Sequence, residues 1–71
     1  MYEFRINFKN HTCYGDHYTV WFWNGLKNDW ITIIDKIYYA NSNKEIIKMI
    51  KHDVKQMFNI KRAKWTINKE N

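Results

Sequence analysis

Two histidines, one cysteine and one aspartate fall within seven residues, from His11 to His17. Imidazole and thiolate groups are zinc ligands, and a cysteine beside a histidine is also a pairing used in nucleophilic catalysis. Zinc prefers four ligands in a tetrahedral array, and the usual second ligand pair is absent from the sequence. A nucleophilic cysteine needs a base that a third group orients, and nothing near Cys13 supplies one. We interpret the segment as a polar turn with no metal ligand.

The short motifs of the common enzyme classes do not occur in the sequence. There is no glycine-rich phosphate loop, no dinucleotide-binding glycine motif, no nucleophile elbow and no zinc-protease motif. The seven carboxylates are scattered and offer no convincing acid/base pair. We therefore predict a protein that is not an enzyme, with no catalytic residues and no cofactor.

The aromatic side chains indicate a binding surface instead. Four Trp, five Tyr and four Phe are more large rings than a chain of 71 residues can fully bury. Tryptophan and arginine are typical of protein-binding hot spots, and tryptophans between cations also suit base stacking. The residues predicted to form a partner-binding sheet face are Arg5, Lys9, Trp21, Trp23 and Trp65.

The positive charge is concentrated in the second half of the chain. Residues 1–40 carry four basic and four acidic side chains, whereas residues 41–71 carry eight basic and three acidic ones. Lysines in a helical stripe can contact nucleic-acid phosphates, or they can be a solvated helix face whose stems cover the edge of the core. The predicted phosphate-contacting residues are Lys44, Lys48, Lys51 and Lys55 in the stripe, continued by Lys61, Arg62 and Lys64.

Hydrophobic periodicity predicts the strands that position these residues. Apolar and polar residues alternate over 2–9 and again over 17–23, which indicates an antiparallel hairpin around a turn at 10–16. After a longer loop that begins at Asn24-Gly25, the β-branched and aromatic residues of 30–40 favour a third strand. Asp35 and Lys36 in its middle indicate a bulge or an exposed strand end.

A helix and a short last strand follow. Ser42 and Glu45 form a capping box, which predicts a helix of about four turns that ends near Phe58, with Asn59 as its stop. Residues 62–68 favour a short strand. We predict an α+β fold in which one helix packs across one face of a small antiparallel sheet. The elements follow in the order β-β-β-α, with the option of a short fourth strand at the C-terminus. The predicted unit is a single domain over residues 1–71, frayed at 68–71.

The predicted core joins alternate strand residues to the apolar stripe of the helix. It consists of Tyr2, Phe4, Ile6, Phe8, Tyr18, Val20 and Phe22 on the sheet and Ile46, Ile47, Ile50, Val54, Met57 and Phe58 on the helix.

The order strand, strand, strand, capped helix is loosely similar to that of small DNA-binding modules such as the arm-binding domains of phage and transposon integrases. The likeness rests on that order and on the segment Tyr39-Ala40-Asn41-Ser42-Asn43-Lys44-Glu45, which opens a lysine-rich helix. It implies a sheet laid in the major groove. The sequence departs from this pattern in its few sheet arginines and its Trp-rich outer face, so no functional residue is carried over.

Three functions stay open at this point. The leading one is a small non-enzymatic regulator, an inhibitor encoded by a phage or mobile element, that docks an aromatic sheet face on a host protein. The alternatives are a sequence-tolerant nucleic-acid-binding module and a homo-oligomer that sequesters a small ligand. The single cysteine and the lack of an apolar leader after Met1 indicate the cytoplasm, and no membrane partner is expected.

Overall fold

A computed structural model describes residues 1–69, in which the alternating segments form one four-stranded sheet. The strands are β1 (Glu3–Thr12), β2 (Gly15–Asn24), β3 (Asp29–Tyr38) and β4 (Lys64–Lys69), and the helix α1 spans Asn43–Phe58. The order across the sheet is β3-β2-β1-β4. The predicted α+β architecture, with a fourth strand and one helix on one sheet face, is confirmed.

Strand β4 is parallel to β1, so the sheet is mixed and our prediction of an antiparallel sheet is wrong for this pair. The pairs β1–β2 and β2–β3 are antiparallel. Helix α1 carries the chain back across the sheet, so β4 runs in the same direction as β3. Since β3 and β1 are both antiparallel to β2, β4 meets β1 in parallel. The Lys64 amide donates to the Tyr2 carbonyl at 2.8 Å where this pairing begins.

The first hairpin is longer and tighter than the sequence predicted. Only Cys13 and Tyr14 separate β1 from β2, because both strands continue into the segment predicted as a turn at 10–16. Polar residues do not prevent strand formation at a strand end that faces water. Gly15, which opens β2, has a φ of 136°, and a Cβ atom there would lie 2.4 Å from the Tyr38 carbonyl oxygen. The turn therefore needs glycine at this position.

Strand β3 is continuous but carries a bulge. Its register with β2 shifts at Ile33, between the pairs Val20–Ile34 and Trp21–Thr32. The bulge thus lies two residues before Asp35, where we had expected a bulge or an exposed strand end. The extra residue shifts the alternation of side chains between the two faces by one position. Ile31 and Ile34 are therefore both paired with residues of the core face, although they lie three positions apart.

Helix α1 begins and ends at the predicted residues. The Ser42 hydroxyl accepts a hydrogen bond from the Glu45 amide at 3.2 Å, and Asn59 adopts the left-handed conformation that ends the helix. The predicted core residue Met57 lies at the helix flank and is largely exposed, and Tyr2 is exposed at the start of the sheet. The buried core consists of Phe4, Ile6, Phe8, Tyr18, Val20 and Tyr38 from the sheet and Ile46, Ile50 and Val54 from the helix.

Residues 68 and 69, which we predicted as part of a frayed tail, belong to β4, and residues 70 and 71 lie outside the described residues. No helix within residues 1–69 has the length and apolar character needed to span a membrane.

Candidate binding surface

The sheet face opposite α1 carries three tryptophans and an arginine at one end. Trp23 is paired with Trp30 across β2 and β3, with ring centroids 5.3 Å apart at 57°. Arg5 is paired with Trp21 across β1 and β2, and its guanidinium carbon lies 4.1 Å from the Trp30 ring centroid. All four side chains are half-buried. We call Arg5, Trp21, Trp23 and Trp30 the tryptophan face.

The loop between β2 and β3 fixes the register of this group. The Asn24 side-chain oxygen accepts hydrogen bonds from the amides of Leu26 at 3.0 Å and Lys27 at 3.3 Å, so one side chain organises the four-residue loop. Asn24 then pairs with Asp29, and the next pair inward is Trp23 with Trp30. Alternation in β2 places Phe22 on the core face and both of its tryptophan neighbours on the open face.

Sequence reasoning missed Trp30, although it assigned this residue to a strand. The sequence did contain a signal for it. Asn24 and Asp29 flank the loop, and the strand residue next to each of them, Trp23 and Trp30, is a tryptophan. Directly opposed aromatic pairs are a recurrent stabilising contact of antiparallel strands. Recognising residues 24–29 as a hairpin connection would therefore have added Trp30 to the predicted face.

Two residues predicted for this face lie elsewhere. Trp65 points to the helix side, where it stacks on Phe4 with ring centroids 4.9 Å apart, because β4 pairs in register with β1. It belongs to the core boundary and the prediction that it extends the outer face is wrong. Lys9 lies at the β1 irregularity between Phe8 and Asn10, away from the tryptophan end of the sheet. Arg5, Trp21 and Trp23 are brought together as predicted.

The lysine stripe lies on the helix layer, on the other side of the sheet from the tryptophan face. Lys44 and Lys48 are exposed, whereas Lys51 and Lys55 are half-buried. The Lys51 ammonium lies 5.6 Å from the Trp65 ring centroid, so its stem covers the edge of the core. The other predicted phosphate contacts are exposed after the helix, namely Lys61 and Arg62 in the connection and Lys64 at the start of β4.

The open sheet face becomes polar away from the tryptophans. Asn7 is only 1% exposed, and it donates to the Thr19 hydroxyl at 3.4 Å and accepts from the Asn68 amide at 3.0 Å. Further along, His17 contacts the Asp35 carboxylate and, at 3.2 Å, the Asn10 side-chain oxygen. These hydrogen bonds link all four strands across this face.

The segment that suggested metal or nucleophile chemistry forms a hairpin end. His11 Nδ1 lies 2.6 Å from the Asp16 carboxylate, and Cys13 is exposed in the turn. Within residues 1–69, no group of three or more His, Cys, Asp or Glu side chains is arranged to hold a metal ion.

Two tyrosines of the core have perturbed acidities. Burial, followed by the charge of Asp16, raises the pKa of Tyr18. Burial raises the pKa of Tyr38 to about 12, with a further contribution from the charge and proximity of Asp53. The Tyr38 hydroxyl is nevertheless buried without a hydrogen bond of acceptable geometry.

Comparisons with protein-family models, curated proteins and solved structures gave no significant match to this chain. Its function is therefore argued from the chemistry of its own surfaces.

Proposed function

We propose that the protein is a non-enzymatic binding module that docks its tryptophan face on a partner protein. The observation that carries the proposal is the contact of Arg5 with Trp30, and of Trp30 with Trp23, on a sheet face that no element within residues 1–69 covers. Tryptophan and arginine are enriched among interface hot spots, where truncation costs about 2 kcal/mol or more per residue. The tryptophan face has the composition of such a hot spot.

Preorganisation supports the same proposal. Arg5 is held over the Trp30 ring, and Trp30 in turn rests against Trp23, before any partner is present. Immobilising a rotamer-rich side chain on binding costs roughly 0.5–1.5 kcal/mol, and a side chain that is already ordered avoids most of this cost. Strands position the side chains more firmly than loops would.

The distribution of charge favours a protein over a nucleic acid for this face. Glu3 is paired with Lys64, and Asp35 lies on the same face in the edge strand β3, so the open face mixes both signs of charge. Nucleic-acid backbones favour surfaces with an excess of cations. The lysine stripe supplies such an excess, but it lies on the far layer of a molecule whose shortest Cα dimension is 15 Å. A ligand flat on the tryptophan face would not reach it.

We extend the proposal to an inhibitor or regulator of the partner that is encoded by a phage or mobile element and acts in the host cytoplasm. Its support is the lysine-, asparagine- and isoleucine-rich composition of the chain, which is typical of an AT-rich genome.

Site-specific photo-crosslinking tests the docking proposal. A photoreactive amino acid at Thr32, which is exposed and paired with Trp21, should crosslink a protein, whereas the same group at the exposed helix residue Lys44 should not. The crosslink at position 32 should disappear in Trp21→Ala with Trp23→Ala, and thermal unfolding should show that this variant is folded. A folded double variant that crosslinks the same protein undiminished contradicts the proposal.

The two alternative functions have separate tests. Nucleic-acid binding through four lysines predicts a log–log salt slope of about −3 to −4 in fluorescence anisotropy, lost when the stripe is changed to glutamine. A homo-oligomer predicts a solution mass above that of one chain, which sedimentation measures.

A further inference from the structure

A groove runs between the edge strand β3 and the flank of α1. It consists of two adjoining cavities of about 530 and 400 Å³ that share Lys36, Tyr38 and Asp53. The helix wall presents residues at a spacing of four, so they lie above one another on the side that faces β3. We call this the β3–α1 groove. Its walls include Ile34, Lys36 and Tyr38 from β3 and Met49, Asp53 and Met57 from α1.

The groove lies beside an unpaired strand edge. Strand β3 is the outermost strand, and within residues 1–69 no strand pairs with its outer side. Such an edge offers a row of backbone donors and acceptors to another extended chain. The bulge at Ile33 interrupts the row, which leaves the regular part from Ile34 to Tyr38, roughly 17 Å at the usual rise per residue. A peptide of four or five residues can pair there.

Large apolar side chains are exposed along the groove. Met49 is 42% exposed and Met57 57% exposed, although both belong to the helix flank that faces the sheet. Tyr39, directly after β3, is exposed beside Met49. Methionine adapts its shape to different apolar partners and is common at peptide-binding surfaces. The helix wall therefore suits the apolar side chains of an extended segment.

Tyr38 forms the floor of the groove. It is only 2% exposed, lines both cavities, and its hydroxyl is buried near the Asp53 carboxylate.

Charge defines the chemistry of the occupant. Lys36 and Lys48 line the groove together with His52, and Asp53 is the single carboxylate among its lining residues. A segment with acidic side chains is complementary to this excess of cations, whereas a basic segment is repelled.

We propose that the β3–α1 groove binds an extended acidic segment of a partner protein, which adds to β3 as a fifth strand. Its backbone pairs with the edge from Ile34 to Tyr38, and its side chains at every second position face the helix. Among these, apolar side chains contact Met49 and Met57, and carboxylates face Lys36 and Lys48, which lie on the same side of the sheet. Addition of a strand in this way takes affinity from the backbone and specificity from alternate side chains. The site is separate from the tryptophan face and does not depend on the function proposed for it.

Selection from a displayed library of random peptides of about ten residues, against the folded full chain, tests the proposal. We expect enrichment of peptides that carry apolar residues and Asp or Glu at every second position, because those positions face the helix. In fluorescence anisotropy, the double substitution Met49→Glu with Met57→Glu should weaken the binding of a labelled selected peptide at least tenfold. The double substitution Lys36→Glu with Lys48→Glu should have the same effect. N-methylation of alternate peptide amides should abolish binding, because it removes the donors to the strand edge.

Matched controls separate this site from the rest of the surface. Ile67→Glu, on the opposite edge strand and also exposed, should leave the affinity unchanged, as should Trp21→Ala with Trp23→Ala. The proposal is overturned by a library that yields no acidic enrichment, or by selected peptides whose binding survives the methionine variant in a folded protein. A dimer of the chain that the methionine variant dissociates would also overturn it, because a second copy would then occupy the groove.

Discussion

Tyr38 should make the stability of the fold depend on pH in the alkaline range. Burial and the neighbouring Asp53 raise the pKa of its hydroxyl from 10.0 to about 12. As the pH rises above 10, the unfolded chain loses the tyrosine proton while the folded chain keeps it. The unfolded state is thereby favoured, so this contribution to stability is complete below pH 10 and is lost between pH 10 and 12.

The size of the effect follows from the shift. Each pH unit over which only the unfolded state ionises lowers the free energy of unfolding by about 1.4 kcal/mol, so a shift from 10.0 to about 12 gives at most about 2.7 kcal/mol. Lysine deprotonation also changes stability in this range, but it is common to variants that differ only at position 38. Tyr38→Phe removes the titrating group, so the difference between the two proteins isolates it.

Urea unfolding of the wild type and Tyr38→Phe at a series of pH values measures this difference. At about pH 8 the variant should be close to the wild type in stability, because the buried hydroxyl that it removes makes no hydrogen bond of acceptable geometry. Toward pH 12 the wild type should lose stability relative to the variant, while Tyr18, whose pKa is also raised, affects both. Parallel curves from pH 10 to 12 would refute the raised pKa of Tyr38.

Three further substitutions test the fold, each by chemical denaturation. Gly15→Ala should destabilise the fold by roughly 2–5 kcal/mol, because the new Cβ would lie 2.4 Å from the Tyr38 carbonyl oxygen and φ is positive. Gly25→Ala is the control, since its Cβ would meet only one atom, at 4.0 Å. Equal losses of stability in the two variants would contradict this account. Ile50→Ala should cost about 2–5 kcal/mol, since Ile50 is fully buried, and a loss below about 1 kcal/mol would exclude a tightly packed helix–sheet contact. Ser42→Ala should cost about 1 kcal/mol through loss of the cap, whereas Ser42→Asp should retain stability.

Local pattern was sufficient for the elements that carry their own signals. The alternation of Phe4, Ile6 and Phe8 identified β1 and the face that packs on the helix, because a half-buried strand repeats every two residues. Ser42 and Asn59 identified the ends of α1, since the hydrogen bonds of a helix cap involve residues only a few positions apart.

Features that depend on pairing between distant segments could not be predicted from local sequence pattern. Residues around Trp65 alternate clearly, but alternation alone does not say which side of the sheet the apolar set occupies, and only the register with Phe4 decides it. The parallel direction of β4 likewise follows from the path of α1 across the sheet. The β3–α1 groove joins a strand edge to a helix flank, and no single stretch of sequence contains it.

The tryptophan face could be predicted from the sequence only in part. Trp21 and Trp23 were found from alternation within one strand, while Trp30 depends on the register across the β2–β3 loop. The lysine stripe follows from helical spacing alone, but its separation from the tryptophans by the whole sheet required the three-dimensional arrangement.

The position of β4 has a consequence for the order of folding. Strand β1 pairs on one side with β2, its neighbour in sequence, and on the other with β4, where the contact between Asn7 and Asn68 spans 61 residues. Contacts of such separation form late, because closing a long loop costs entropy before any contact compensates for it. We expect the meander β1–β2–β3 to assemble first, with β1 as a temporary open edge. During that interval β1 is exposed to intermolecular pairing together with β3, so the docking of β4 removes one of the two edges at which aggregation can begin.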